Sequence, residues 1–480
     1  MSVASGPFYP LYRRLPFPLQ DFLVTAAGAP RWAHEASPRF QGLVSFLCRA
    51  EGWDPAEAGA YRTSRLRRVL EAASLTRRYS RLIPRREILE RDPWGVLASL
   101  PPLGKEEVRS DPSAFLNPRF RGRVHRHGTS GTTGTPLQVF WTRSSMDMER
   151  ALIWRHRLRA GCRIGKDWRG MLGGLPVVPV KASRKPWWRV NALARQVYLS
   201  TYHISPGNAP DYAECLDSFG LAFLEGYPSV LSAAALVMAE AGLGRNLAGV
   251  FFGAEPMNAI QRDLVESAFG CHAWDFYGLT ERVASASEFE CRSLHVNWEN
   301  CVLELVREDG RPAEPGEHAE IVGTSLSNLA FPLLRYGTGD MSSLLEGGCS
   351  CGRRSPRIAA VDTKREDLLV MPDGSLLSAS NLTYPFKEVG NIRESQICQP
   401  SLREVVVRLV PDGAYREEDG LRLKEGLESL IGRGVDVRLE IVDGIPRGPA
   451  GKYAFCVSVP AKDLARRGAA VTNGARRHPG

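Results

Sequence analysis

Between His127 and Pro136 the chain reads His-Gly-Thr-Ser-Gly-Thr-Thr-Gly-Thr-Pro, and eight of these ten residues are glycine, serine or threonine. Glycines let consecutive backbone N–H groups converge without a side chain in the way. Hydroxyls beside them add donors, so the fitting visitor is a run of phosphate oxygens. A flexible surface linker has the same composition. The flanks argue against a linker: His125-Arg126-His127 precedes the stretch, and the apolar run Leu137-Gln138-Val139-Phe140-Trp141 follows at once. It is not a Walker loop, because Thr135 stands where a lysine is needed. No Gly-x-Gly-x-x-Gly follows a strand pattern elsewhere, so a dinucleotide cofactor has no support.

Four later segments carry other groups that phosphate chemistry uses: Gly253-Ala254-Glu255-Pro256, Tyr277-Gly278-Leu279-Thr280-Glu281, Leu334-Arg335-Tyr336-Gly337-Thr338-Gly339-Asp340 and Ile445-Pro446-Arg447-Gly448-Pro449-Ala450-Gly451-Lys452. Each alone has an ordinary reading. Gly-Asp and Gly-Lys are commonly surface turns, and Tyr-Gly commonly closes a strand. In this order, together with the glycine-rich stretch, they resemble the motifs of the adenylate-forming ligases, over residues 60 to 460 or so. The resemblance implies that a carboxylic acid is activated by ATP as an acyl-adenylate, with pyrophosphate leaving, before transfer to an acceptor. Both reactants are anionic, so the work is positioning and charge neutralisation.

The resemblance also assigns roles. Thr129, Ser130, Gly131, Thr132, Thr133 and Gly134 would hold the β- and γ-phosphates. Gly253, Ala254, Glu255 and Pro256 would line the adenine side, and Tyr277 with Gly278 would offer adenine a flat face. Thr280 and Glu281 would serve a Mg²⁺ bridging the phosphates, since that ion wants hard oxygen ligands. Asp340 would accept from both ribose hydroxyls, and Lys452 would bring a mobile point charge to the α-phosphate. Asp362-Thr363-Lys364-Arg365-Glu366-Asp367 resembles the family's Gly-Arg-x-Asp-Asp hinge, with Lys364 in the arginine place near the ribose and Glu366 in the first aspartate place. In that family a small domain swings at this hinge; a charged exposed linker is the plainer reading.

Thr135, Tyr202-His203, Glu225-Gly226-Tyr227-Pro228-Ser229, Pro372-Asp373-Gly374 and Asn391 to Ile397 look like the phenylacetate–CoA ligase-like branch, and within it like coenzyme F390 synthetase-like proteins or CapK-like proteins of capsule biosynthesis. His203, Tyr227 and Pro228 are the candidates there for the acyl pocket. Tyr-Pro is equally a helix-entry turn, and His203 equally a hydrogen-bonded structural histidine. CoA is the acceptor the branch implies first. Transfer to an amine or hydroxyl, AMP transfer, and a non-catalytic nucleotide-binding relative are the alternatives, and a homodimer is compatible with any of them.

A second cluster concerns metal. Cys349-Ser350-Cys351, with Cys291 and His295 at a Cys-x-x-x-His spacing, makes a Cys₃His set for a structural zinc ion. Cys271 and His272 are rival ligands, and unrelated buried thiols are the plain alternative.

The elements that must position these groups follow from pattern. A chain of 480 residues exceeds one core and predicts a large domain with a smaller one. The expected fold class is α/β: a large adenylate-forming domain over 61–362, with mixed or parallel sheets flanked by helices, and a small mobile α+β domain over 368–460. An N-terminal extension (1–60), a hinge (363–367) and a disordered basic tail (461–480) complete the chain. Apolar periodicity predicts a helix over 61–80, a helix from Ser145 to Ala160 and a buried strand from Gly170 to Val180. Alternating strands and helices over 212–281 predict a largely parallel sheet, with ligands at the strands' carboxyl ends. Residues 302–345 predict hairpins. The +9 charge sits mostly in arginines near the two chain ends, which argues against a nucleic-acid partner and leaves an anionic substrate or membrane surface open. Ten unevenly spaced cysteines do not describe a secreted disulfide scaffold. The first residues do not form a signal peptide, and no stretch approaches the ~20 apolar residues of a spanning helix, so a cytoplasmic protein is expected.

Overall fold

The computed structural model describes residues 9–83, 92–128, 137–174, 176–362, 368–374, 376–378, 382–383, 385–386, 389, 391–432, 434–446 and 454–461. Three of the described helices begin where a capping side chain meets proline, at Ser37-Pro38, Asp54-Pro55 and Asp92-Pro93. Asp54 accepts the N–H groups of Ala56 and Glu57, Glu57 reaches back to the Asp54 N–H, and Pro55 opens the helix Pro55–Ala73. That helix therefore starts upstream of residue 61. The preceding stretch, whose sequence shows weak periodicity, contains the helices Tyr9–Tyr12, Phe17–Glu35 and Pro38–Ala50. The helix Arg143–Arg159 is capped by Thr142, and Ser145 supplies the return bond of the capping box where the sequence pattern suggested the cap itself.

Among the described residues the large body is built on one twelve-stranded sheet. Its spatial order is Cys301–Val306, His318–Ser325, Tyr336–Leu345, Arg357–Ile358, Leu294–Val296, Ser285–Glu288, Ala273–Gly278, Gly249–Gly253, Phe223–Gly226, Arg169–Leu172, Gln196–Leu199 and Trp188–Asn191. The five strands from Ala273–Gly278 through Gln196–Leu199 run parallel. The rest pair antiparallel, so the sheet is mixed, in agreement with the expected α/β class. The strand predicted over 170–180 ends at Leu172; prolines at 176 and 179 lack the N–H that would continue its ladder.

Side chains alternate across the parallel part, and both faces are covered. Leu224, Val250, Phe252 and Ala273 pack beneath the helices Ala209–Phe219, Pro228–Glu240 and Ala259–Phe269. Phe223, Phe251 and Trp274 face the other way, onto helices 38–50 and 143–159. A Leu→Ala change at such a fully buried site costs about 2–5 kcal/mol, which holds these elements in register.

The small domain is a four-stranded sheet, ordered Asp436–Ile441, Glu404–Pro411, Ile392–Ser401 and Cys456–Ser458, with the helix Glu417–Ile431 on its apolar face. The hairpin Leu368–Val370 and Leu376–Ser378 is fastened to it by Gln399, which accepts the Val370 N–H at 2.9 Å and donates to the Val370 carbonyl at 2.7 Å. Tyr202 and Val180 of the large body share an apolar cluster with Leu369, Met371 and Leu377, so the two parts are docked through this hairpin. No described helix is long and apolar enough to cross a membrane.

Candidate active site and metal centre

Two tyrosines tie the later sequence motifs together. Tyr277, near the end of strand 273–278, donates its hydroxyl to Asp340 Oδ2 at 3.0 Å. Tyr336, at the start of strand 336–345, donates its hydroxyl to Glu281 Oε1 at 2.9 Å. Each motif thus supplies a tyrosine to the other motif's carboxylate. Burial, with the carboxylates beside them, drives both phenols above their ordinary pKa, so both remain protonated donors. Tyr277's ring is buried at 7% exposure, packed with Ala284, Ala286 and Leu294. Asp340 follows Gly339, whose φ of +75° takes the left-handed turn. Its own N–H is received by Thr338 Oγ1 at 3.1 Å.

Glu281 is nearly buried, and Lys105 Nζ lies 3.6 Å from the same oxygen that Tyr336 contacts. The cause is local backbone pairing. Leu103 bridges to the Tyr336 strand, giving its N–H to the Arg335 carbonyl at 2.7 Å and receiving the Gly337 N–H at 2.9 Å. Lys105 then opens the helix Lys105–Ser110 beside Glu281.

The strands Val124–Gly128 and Gln138–Thr142 pair antiparallel with Gly128 opposite Gln138. The glycine-rich stretch is the length of chain between these two paired strands. Trp141 of that hairpin donates its indole N–H to the Thr280 carbonyl at 2.9 Å. His127 stacks on Trp141 with ring centroids 3.5 Å apart, and the Arg282 guanidinium lies 3.8 Å from the same ring. Burial first, and then the positive charge of Arg282, push the His127 pKa down.

On the adenine-side segment, Gly253 lies so close to the next strand that a Cβ there would come within 2.6 Å of the Phe276 carbonyl. Ala254 follows at φ +68°, turning the chain across the strand end. Glu255 then accepts the Ser229 N–H at 3.2 Å. A carboxylate on the first turn of helix 228–240 is favoured by the unpaired N–H groups there. This bond brings Tyr227 and Pro228, at that helix's entry, to Gly253–Pro256.

Cys291, His295, Cys349 and Cys351 converge, with all their ligand atoms within 4.8 Å of one another. His295 Nε2 is 3.4 Å from Cys291 Sγ and 3.5 Å from Cys351 Sγ. A tetrahedral zinc ion about 2.3 Å from sulfur and 2.1 Å from nitrogen sets that separation at about 3.6 Å, so the donors fit. His295 Nδ1 meets Ser355 Oγ at 2.8 Å, which fixes the ring and leaves Nε2 for the cluster. The rival His272 is instead engaged by Glu288 at 3.1 Å and Glu266 at 3.6 Å. Cys271 packs against the helix-covered core, outside the cluster.

Residues 369–459 match the family described as the CapK C-terminal domain. Protein CapK of Staphylococcus aureus is 26% identical over 365 residues, covering 75% of this chain and 79% of its own length. A phenylacetate–coenzyme A ligase of Thermus thermophilus is 26% identical over 371 residues, covering 68% of this chain and 78% of its own. A 2-hydroxyisobutyryl-CoA ligase solved with 2-HIB-AMP and CoA in the thioesterification state superposes with a TM-score of 0.53 at 21% identity, over 87% of this chain and 94% of that one. The chain is similar to the adenylate-forming, phenylacetate–CoA ligase-like proteins and carries their CapK-type C-terminal domain.

Against that family's motifs, the structure joins Tyr277, Gly278, Thr280 and Glu281 with Asp340, and Gly253 to Pro256 with Tyr227 and Pro228. His203 has a different setting. It is 7% exposed, stacks on Trp187 with centroids 4.4 Å apart, and meets Ser200 Oγ through Nδ1 at 2.7 Å. Burial lowers its pKa to about 4, so it is a neutral ring at physiological pH. Thr129, Ser130, Gly131, Thr132, Thr133, Gly134, Lys364, Glu366 and Lys452 lie outside the described residues. Sequence reasoning did not single out two residues that contact Glu281. Tyr336 stood inside a quoted motif without a role, and Lys105 lies just after Pro101-Pro102-Leu103-Gly104, outside every quoted motif. A cation soon after a proline-rich turn was the one signal available for it.

Proposed function

We propose that this chain joins ATP and a carboxylic acid as an acyl-adenylate, releases pyrophosphate, and passes the acyl group to CoA. The observation that supports this most is the reciprocal pair of tyrosine–carboxylate bonds linking Glu281 and Asp340. It holds a hard-oxygen donor and a two-oxygen acceptor at the carboxyl end of the parallel strands, where ligands of such sheets gather. In this reading Asp340 receives the ribose hydroxyls, and Thr129 to Gly134, between the two paired strands in sequence, hold the departing phosphates. Glu281, nearly buried and braced by Tyr336 and Lys105, suits a Mg²⁺ ion, which when bound would neutralise phosphate charge. The phenolic ring of Tyr277, fixed by its bond to Asp340, lies along the adenine side. Lys452 supplies the cation for the α-phosphate from the small domain. The Cys₃His cluster holds a structural zinc ion that ties the strand Leu294–Val296 to the turn after strand 336–345.

A second reading is favoured by one observation, the match of 369–459 to the CapK C-terminal domain. There the adenylate is passed to an amine or a hydroxyl in place of CoA. Carboxylate-dependent exchange of pyrophosphate into ATP tests what both readings share. Exchange is expected with at least one acid of a broad panel and collapses in Lys452→Ala. Undiminished exchange in that variant removes the role given to Lys452, and no exchange with any acid removes the ligase reading. Adding CoA, then amines and sugars, and following AMP release with the mass of the product separates the two acceptors.

A further inference from the structure

The helix Phe17–Glu35 lies along the edge strand Trp188–Asn191 with its polar side chains turned inward. Asp21 accepts the Val190 N–H at 2.9 Å, and Thr25 donates its hydroxyl to the Val190 carbonyl at 3.1 Å. Gln20 is buried at 1% exposure and accepts from the buried Arg189. The outward face has the opposite character. Pro18, Leu19, Phe22, Ala26, Pro30 and Ala33 recur at helical spacing and all are exposed, Phe22 by 66% and Leu19 by 49%. None of these six carries a charge or a hydrogen-bonding group. A surface helix of a globular protein normally shows water its polar face; this one is inverted along a length of about 28 Å.

The chain just before it extends the pattern. Leu11 is 63% exposed and Phe17 39%, and between them Arg13 and Arg14 are both exposed. Asp21 is the one carboxylate in the helix before Glu35, and both are turned into the protein, so the outward face is apolar, with Arg13 and Arg14 exposed before the helix and Arg31, paired with Glu35, exposed near its far end.

We propose that this helix is an interfacial anchor that lies flat on an anionic lipid surface. Leu11, Leu19 and Phe22 enter the boundary between headgroups and acyl chains, and Arg13 and Arg14 pair with headgroup phosphates. Charge complementarity selects a lipid surface as the occupant: an apolar face flanked by arginines and free of outward carboxylates matches anionic headgroups above hydrocarbon. The helix lies on the bilayer and does not cross it, since no described helix is apolar and long enough to span.

The test is co-sedimentation of the full-length protein with phosphatidylcholine vesicles, with and without phosphatidylglycerol. Binding to the anionic vesicles is expected to exceed binding to neutral ones. Arg13→Ala with Arg14→Ala should weaken it about thirtyfold, the weight of two cations at an anionic surface. Leu19→Gln with Phe22→Gln should abolish it while leaving the thermal melting point in place, because both side chains are exposed. Equal binding to neutral and anionic vesicles, or unchanged binding in Leu19→Gln/Phe22→Gln, overturns the proposal. So does a wild-type dimer in sedimentation equilibrium that this double variant dissociates, which would give the face to a second copy of the chain.

Discussion

Glu281 is held by a neutral phenol on one side and an ammonium group on the other, and the phenol is the better placed of the two. Tyr336→Phe keeps the buried ring and deletes only the 2.9 Å bond to the carboxylate. A hydrogen bond to a charged group is worth roughly 1.5–3 kcal/mol, so pyrophosphate exchange should fall about tenfold to a hundredfold. Under the proposed role the loss appears as a higher Mg²⁺ requirement, with the acid's half-saturation little changed. An unaltered Mg²⁺ dependence would separate Tyr336 from the carboxylate's function. The sequence displays Tyr336 inside its motif yet could not assign it this partner, which lies 55 positions away and is reached only through strand pairing.

At the scale of elements, the hairpin of strands 124–128 and 138–142 is fixed to the Thr280–Glu281 turn by the indole N–H of Trp141. Trp141→Phe keeps an aromatic face for His127 and Arg282 and loses the donor. The loss of one net hydrogen bond, about 1 kcal/mol, should raise the half-saturating ATP concentration roughly fivefold with little change in maximal rate. An equal drop in rate at saturating ATP would mean that the hairpin acts in some other way. The proposed zinc centre belongs to the same scale, since its four Cys/His side chains come from two segments more than fifty residues apart. About one equivalent of zinc is expected in purified protein, with strong chelators lowering the melting temperature. Cys351→Ser should carry less than half as much metal. A well-folded wild-type sample without zinc refutes the centre.

For the molecule as a whole, acid should be more harmful than its carboxylates alone predict. His156 is 1% exposed among Phe251, Trp274, Phe276 and Phe289, and burial pushes its pKa down to about 3. His203 is lowered to about 4 by burial as well. In an unfolded chain both rings titrate near pH 6.5. Between those values the unfolded state binds protons that the folded state refuses. Their contribution to stability is therefore complete above about pH 6.5 and is lost as the pH falls towards 3 or 4. Melting temperatures measured from pH 7 to 4.5 should fall less steeply in His156→Leu than in the wild type. Parallel slopes would show that His156 does not govern the transition.

The α/β class, the parallel strands of the large body, the small α+β unit, and the types and spacing of the motif residues and of the four Cys/His side chains were readable from the chain itself. Each rests on local rules: alternation and period, capping residues, and donor types at a fixed spacing. The tertiary structure decided the rest. It chose Cys291 and His295 over Cys271 and His272, crossed Tyr277 and Tyr336 onto each other's carboxylates, and delivered Lys105 to Glu281. It also turned the apolar side of helix 17–35 outward, and it set His203 in a stacked, neutral environment. These outcomes depend on which strands lie beside one another and which face of a helix the sheet edge accepts. Such long-range pairings follow from packing distant segments side by side in three dimensions, and no local window of sequence contains them.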